Sequence, residues 1–241
     1  LGWAWAPRLA LFFFAYSAAA ALATGLSNDN PPMFWPPSGI YAGVLMLAPK
    51  RLWPAFIVAA SLAELAADLV FYQYSLAASV GLAIANTADA VGAAYLVRWR
   101  HAEPLRFETL HQHIVRVLLA FALGPAVGAW PGALTLTSVF GGEFGHHWLS
   151  WWIGDALGML VFAPLTLLAV SSWRQQLRQL AAVQWPEFGV LMLVSGALFH
   201  TIFTRQLPIA YVSLLPLLWA ALRFGLAGVV VFVAVLSLFA C

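Results

Sequence analysis

The sequence predicts an all-α, polytopic transmembrane helix bundle of about eight to ten spans with its N-terminus in the cytoplasm, and three observations carry that expectation. Of 241 residues, 63% are apolar and 8% charged, with a mean hydropathy of +0.88; a soluble domain carries about three times that charged fraction. The charge falls between apolar runs long enough to cross roughly 30 Å of hydrocarbon, where only helices and closed barrels satisfy their backbone groups. The runs lack the strict alternation of barrel strands, which leaves helices. The single Cys241 supplies neither a disulfide framework nor a thiolate cluster.

The apolar runs place spans at about 9 to 26, 37 to 49, 53 to 72, 75 to 97, 113 to 140, 148 to 170, 187 to 203, 208 to 222 and 224 to 241. The second and eighth are short, and Gly124-Pro125 and Trp130-Pro131 interrupt the fifth. Broken, tilted or re-entrant pieces are in play there. The chain begins at Leu1 and stops within an apolar run at Cys241, as an excised fragment would.

Orientation follows from the eleven Lys and Arg residues. With a crossing at each run, Arg8, Lys50, Arg51, Arg98, Arg100, Arg106, Arg116, Arg174, Arg178 and Arg223 fall inside and Arg205 alone outside, a strong positive-inside bias. The net charge of +2 therefore reports topology and gives no reason to expect nucleic acid as a partner. Residues 98 to 116 and 171 to 185 mix Trp, Leu and Phe with Arg, as segments lying on the anionic inner leaflet do.

Trp-Pro occurs at Trp35-Pro36, Trp53-Pro54, Trp130-Pro131 and Trp185-Pro186, three of them at expected span entrances. Indole prefers the interface, and Pro in a first helical turn loses no hydrogen bond, so these pairs read as structural. Small residues four apart, as in Gly39 and Gly43, Gly124, Gly128 and Gly132, or Gly154 and Gly158, let helix backbones approach closely.

The residues least expected in lipid are Glu64 and Asp68 in the third span, Asn86 and Asp89 in the fourth, and Asp155 in the sixth. Each acid facing the bilayer centre would cost about 2.5 to 3.5 kcal/mol. Glu64 and Asp68 share one helical face, and Asn86 and Asp89 share another. They have no obvious basic partner, so they are either interhelical hydrogen-bonding groups, protonated acids, or ligands of a cation. The expectation is one cavity open to the outer face, lined by Glu64, Asp68 and Asp155, floored by Asn86 and Asp89 and roofed by the Trp35 to Gly39 stretch. His146, His147 and His200 lie near the outer surface and stand as further candidates. Helix breaks at Pro125, Pro164 and Pro216 would absorb a change in packing.

The run Phe34-Trp35-Pro36-Pro37-Ser38-Gly39-Ile40, followed by Lys50-Arg51-Leu52-Trp53-Pro54, resembles the opening signature of the type-one membrane-associated sensor (MASE) domain of bacteria. Trp151-Trp152-Ile153-Gly154-Asp155-Ala156-Leu157-Gly158 with Pro164 resembles that family's second signature, and Trp219 to Gly225 its Arg-Phe-Gly element. The resemblance implies an N-terminal input module of a sensor histidine kinase or diguanylate cyclase in the bacterial inner membrane. It further implies a homodimeric full-length protein and a domain that continues beyond residue 241 through a last span to a cytoplasmic output domain. It marks Trp35, Ser38, Trp152 and Asp155 as motif positions and supplies no ligand.

Enzymatic readings fare poorly. Ser38-Gly39 lacks the Gly two residues before the Ser that a nucleophile elbow has. Gly154-Asp155 is half of an intramembrane aspartyl protease motif, with Trp152 where Gly is needed, and the adjacent His146 and His147 cannot share a helix face as zinc ligands. No catalytic residue, metal or cofactor is expected in this chain. The expected partners are the lipid bilayer and a small ligand, cation or proton; the alternative is a transporter or membrane substrate-binding component, because unpaired acids near broken helices also mark transport sites.

Overall fold

The computed structural model describes residues 5–25, 35–70, 72–99, 114–172, 184–204 and 214–239, and among them there is no strand. The α-helices are α1 (Ala6–Gly25), α2 (Pro36–Leu47), α3 (Trp53–Val70), α4 (Leu76–Arg98), α5 (Ile114–Phe140), α6 (Phe144–Leu167), α7 (Gln184–Thr204) and α8 (Leu214–Phe239). Of these, α1, α3, α4, α5 and α6 contain stretches long and apolar enough to cross a membrane. The fold is thus an all-helical, multi-pass membrane architecture. The expected inner-leaflet segments fall largely on residues 100–113 and 173–183, outside the described residues.

The chain divides into two compact units, Leu1–Leu167 and Leu168–Cys241. In the first, α4 packs on α5, α2 and α3; α2 packs on α6 and α1; and α5 packs on α6. Small residues make these crossings close. A Cβ on Gly124 would stand 2.6 Å from the Ala93 backbone nitrogen, and one on Gly43 would stand 3.2 Å from the Ala163 carbonyl oxygen.

At 12 residues α2 rises about 18 Å, well short of a bilayer. Its N-terminus is buried, with Pro36 and Pro37 in the first turn, where their missing amides cost nothing. Its C-terminal carbonyls are held by side chains from two other elements. Arg98 Nη1 donates to the Ala48 oxygen at 2.6 Å, Trp53 Nε1 donates to the Leu45 oxygen at 2.9 Å, and the guanidinium lies over the Trp53 ring. A cation over the negative end of a helix is a favourable pairing.

The expected breaks are not where the prolines are. α5 runs through Pro125 and Pro131, and α6 runs through Pro164. Neighbouring groups take up the loosened carbonyls, as membrane helices require: Trp152 Nε1 donates to the Ala122 oxygen at 2.7 Å, one turn before Pro125. At Pro131 no such group is seen among the described residues: Thr135 Oγ1 bonds the Pro131 carbonyl itself at 2.8 Å, an i to i−4 side-chain bond within the helix. Pro216 is the third residue of α8, where no intrahelical amide is lost. A π-helical turn, Leu168–Ser172, follows α6 in the chain.

The second unit has its own apolar core of Leu191, Ala220, Phe224, Phe232 and Leu236. Its break lies at Gly225, with φ 63° and ψ −164° inside α8. A Cβ on Gly228 would lie 3.8 Å from the Ala220 carbonyl oxygen, whereas eight residues of straight helix rise about 12 Å. The chain therefore folds back at Gly225, a conformation that only glycine adopts without strain. This places the boundary of the two last sequence-expected spans within two residues. Glu187 of α7 pairs with Arg223 Nε at 2.7 Å and accepts from Trp219 Nε1 at 3.1 Å.

Candidate functional site

Five helices of the first unit contribute polar groups to one buried cluster. Ser38 in the first turn of α2, Glu64 on α3, Asn86 and Asp89 on α4, and Asp155 on α6 are each at most 8% exposed. Tyr16 of α1 donates to Glu64 Oε2 at 3.3 Å, and Asn86 Nδ2 donates to Glu64 Oε1. Ser38 Oγ donates to Asp155 Oδ1. Trp151 Nε1, one helical turn before Asp155 on α6, donates to Asp89 Oδ2 at 2.8 Å.

Backbone geometry puts Ser38 beside Asp155. The Trp35 amide donates to the Gly154 oxygen at 2.9 Å, which docks the start of α2 on α6. This docking needs glycines: a Cβ on Gly39 would fall 2.3 Å from the Gly158 oxygen, and one on Gly158 would fall 2.0 Å from the Trp35 oxygen. A Cβ on Gly128 of α5 would fall 1.9 Å from Asp89 Oδ1, so α5 closes the cluster with bare backbone.

Asp89 Oδ1 and Asn86 Oδ1 are buried and have no hydrogen-bond donor. Two uncompensated acceptors in a membrane interior are costly unless something positive or hydrogen-donating meets them.

The family profile of MASE1 matches residues 7–241. The chain belongs to the MASE1 family. MASE1 is a membrane-associated, sensory, non-catalytic domain. No curated protein and no solved structure matches the chain. Two of the stretches that carry the MASE1 resemblance, the one around Trp35 to Ile40 and the one from Trp151 to Gly158, are in direct contact through the Trp35–Gly154 and Ser38–Asp155 hydrogen bonds.

The sequence-expected residues divide in space. Glu64, Asn86, Asp89, Asp155 and Ser38 come together as a packed, hydrogen-bonded group. Asp68 lies a turn further along α3 beside Ser79, and the Tyr74 amide bonds its carbonyl oxygen at 3.0 Å. Trp35 contributes backbone, while its buried indole Nε1 has no partner. Trp152 turns to the Ala122 carbonyl and stacks near Trp148, so its neighbour Trp151 is the indole of the cluster. His147 bonds the Gly141 oxygen at 2.8 Å in the turn before α6, and His146 and His200 are exposed.

Two members were missed from sequence. Tyr16 sits 48 residues from Glu64, and no local pattern links them. Trp151 was legible: it precedes Asp155 by four residues and shares its helical face, whereas Trp152 lies about 100° round.

Proposed function

We propose that this MASE1 domain is the membrane-embedded input module of a bacterial signal-transduction protein, a sensor histidine kinase or a diguanylate cyclase, in the inner membrane. It senses a small molecule, a cation or proton, or membrane state, and passes a change in helix packing to a cytoplasmic output domain of a parallel homodimer. On this reading the chain crosses the membrane eight to ten times from a cytoplasmic N-terminus. The observation that carries the proposal is the buried cluster in which Ser38, Glu64, Asn86, Asp89 and Asp155 tie four helices together while two acceptors lack donors. Such a group changes which helix packing is favoured when it gains or loses one ligand.

Transport is the competing reading, favoured by the short α2 whose buried N-terminus meets a carboxylate. Full-length protein in sealed proteoliposomes separates the two. A change of external composition or pH should alter kinase or cyclase output while ion gradients persist. Gradient dissipation with constant output overturns the sensory reading.

The orientation has its own test. In a Cys241→Ser background, cysteines replacing Ser27 or Gly142 should react with an impermeant maleimide added outside, and those replacing Glu103 or Gln176 should not. The reverse labelling overturns the topology.

A further inference from the structure

The second unit holds a charged and aromatic group outside the buried cluster. Glu187, near the start of α7, accepts from Trp219 Nε1 at 3.1 Å on one oxygen and from Arg223 Nε at 2.7 Å on the other. The carboxylate thereby positions both the indole and the guanidinium of α8. Only the Nε–H of Arg223 is engaged, so the Nη edge of its fork keeps its donors, and a carboxylate has lone pairs beyond the two that Glu187 uses. The side chains of Arg223 and Glu187 are 50% and 27% exposed, which leaves the ion pair open on its outer side.

Leu215, Leu218, Trp219 and Arg223 line a groove of about 390 Å³ beside this pair. Their spacing puts them on one side of α8, while Ala220 and Phe224 turn into the core of the unit. Leu215 and Leu218 are exposed, so the groove is apolar at one end and charged at the other. From Arg223 back to Leu215 the helix rises about 12 Å. Two residues beyond Arg223 the chain folds back at Gly225. The ion pair thus sits where α8 turns, and the leucines lie along the segment that leads away from the turn. In a membrane, Trp and Arg beside a turn belong at the interface, and exposed leucines belong in the hydrocarbon.

We propose that this groove holds one phospholipid with an ethanolamine headgroup. Its phosphate accepts from the Nη edge of Arg223, its ammonium donates to Glu187, and one acyl chain lies along Trp219, Leu218 and Leu215. The charge pattern selects the headgroup. The mouth of the groove carries a cation and an anion side by side, which complements a phosphate joined to an ammonium. A glycerol headgroup brings the phosphate and no cation for Glu187. A choline headgroup brings a cation with no N–H to donate. A soluble phosphate lacks the chain that covers the leucines. On the orientation proposed above, Arg223 falls inside, and the lipid belongs to the inner leaflet. A lipid here is compatible with sensing and with transport alike.

Native mass spectrometry of the chain released from nanodiscs of equal parts phosphatidylethanolamine, phosphatidylcholine and phosphatidylglycerol tests the site. One phosphatidylethanolamine should stay bound in about tenfold excess over either competitor, the factor that one charge-assisted hydrogen bond carries. Glu187→Gln should erase the preference for ethanolamine, and Arg223→Gln should lower retention of all three lipids. Leu218→Trp fills the groove and leaves the ion pair in place, so it should lower retention without touching the turn at Gly225. Circular dichroism confirms the helicity of each variant. Equal retention of the three lipids by wild type, or an excess of phosphatidylglycerol, overturns the proposal. So does an ethanolamine preference that survives in both Glu187→Gln and Leu218→Trp. Efficient disulfide formation between copies carrying Leu218→Cys in a Cys241→Ser background also overturns it, because a second chain would then cover the groove.

Discussion

Gly158→Ala should destabilise the chain by about 3 kcal/mol, the upper part of the range for overpacking a close contact, and Gly158→Leu should yield little folded protein. The new Cβ would lie 2.0 Å from the Trp35 oxygen and 2.6 Å from its carbonyl carbon. Both are backbone atoms, anchored by the Trp35–Gly154 hydrogen bond and by two prolines in the first turn of α2. They cannot step aside as a side chain does, so α2 must lift from α6, and Ser38 must leave Asp155. Gly189→Ala and Gly196→Ala are the contrast, because nothing lies within 4 Å of their added Cβ. These two should be neutral or stabilise α7 by up to about 1 kcal/mol through helix propensity. Thermal unfolding in detergent, followed by circular dichroism, measures all three. A Gly158→Ala midpoint equal to wild type would show that the α2–α6 contact is looser than its geometry.

The contrast also shows how much the sequence revealed. Spacing flagged Gly39 and Gly158 as small residues suited to close packing but could not pair them across 119 positions, because a small residue states that something approaches and not what. The buried acids were legible for a stronger reason: a carboxylate in lipid is too costly to be incidental, so Glu64, Asp89 and Asp155 had to converge. The partners that satisfy them were hidden. Tyr16 reads as one more aromatic in an apolar helix, and Arg98 reads as an inside-loop charge, although it is 3% exposed and caps α2. Pro125 and Pro131 misled, because a proline announces a missing amide and is silent about a neighbour such as the Trp152 indole, which meets the Ala122 carbonyl in the turn before Pro125. Gly225 was within reach, since the boundary between the last two apolar runs fell beside it. Its fold-back still depends on the packing of Phe232 and Leu236 against Leu191.

Asp155→Asn should leave the fold within about 1 kcal/mol of wild type and abolish the response of full-length output to external pH. An asparagine Oδ1 still accepts from Ser38 and keeps the shape of the side chain. The variant therefore keeps the Ser38 contact that joins α2 to α6 while removing the ionisable group. Output should be constant across external pH. Asp155→Leu has the opposite character. It removes the acceptor of the buried Ser38 hydroxyl, and leaving a buried polar group unsatisfied costs about 1–3 kcal/mol. That variant should unfold at lower temperature, and its loss of signalling would carry no information about sensing. Comparing the two separates a lost signal from a lost fold. Kinase or cyclase activity of the full-length protein in native membranes, recorded across external pH beside an unfolding curve, decides the matter. A normal pH response in folded Asp155→Asn would return Asp155 to a purely structural role between α2 and α6.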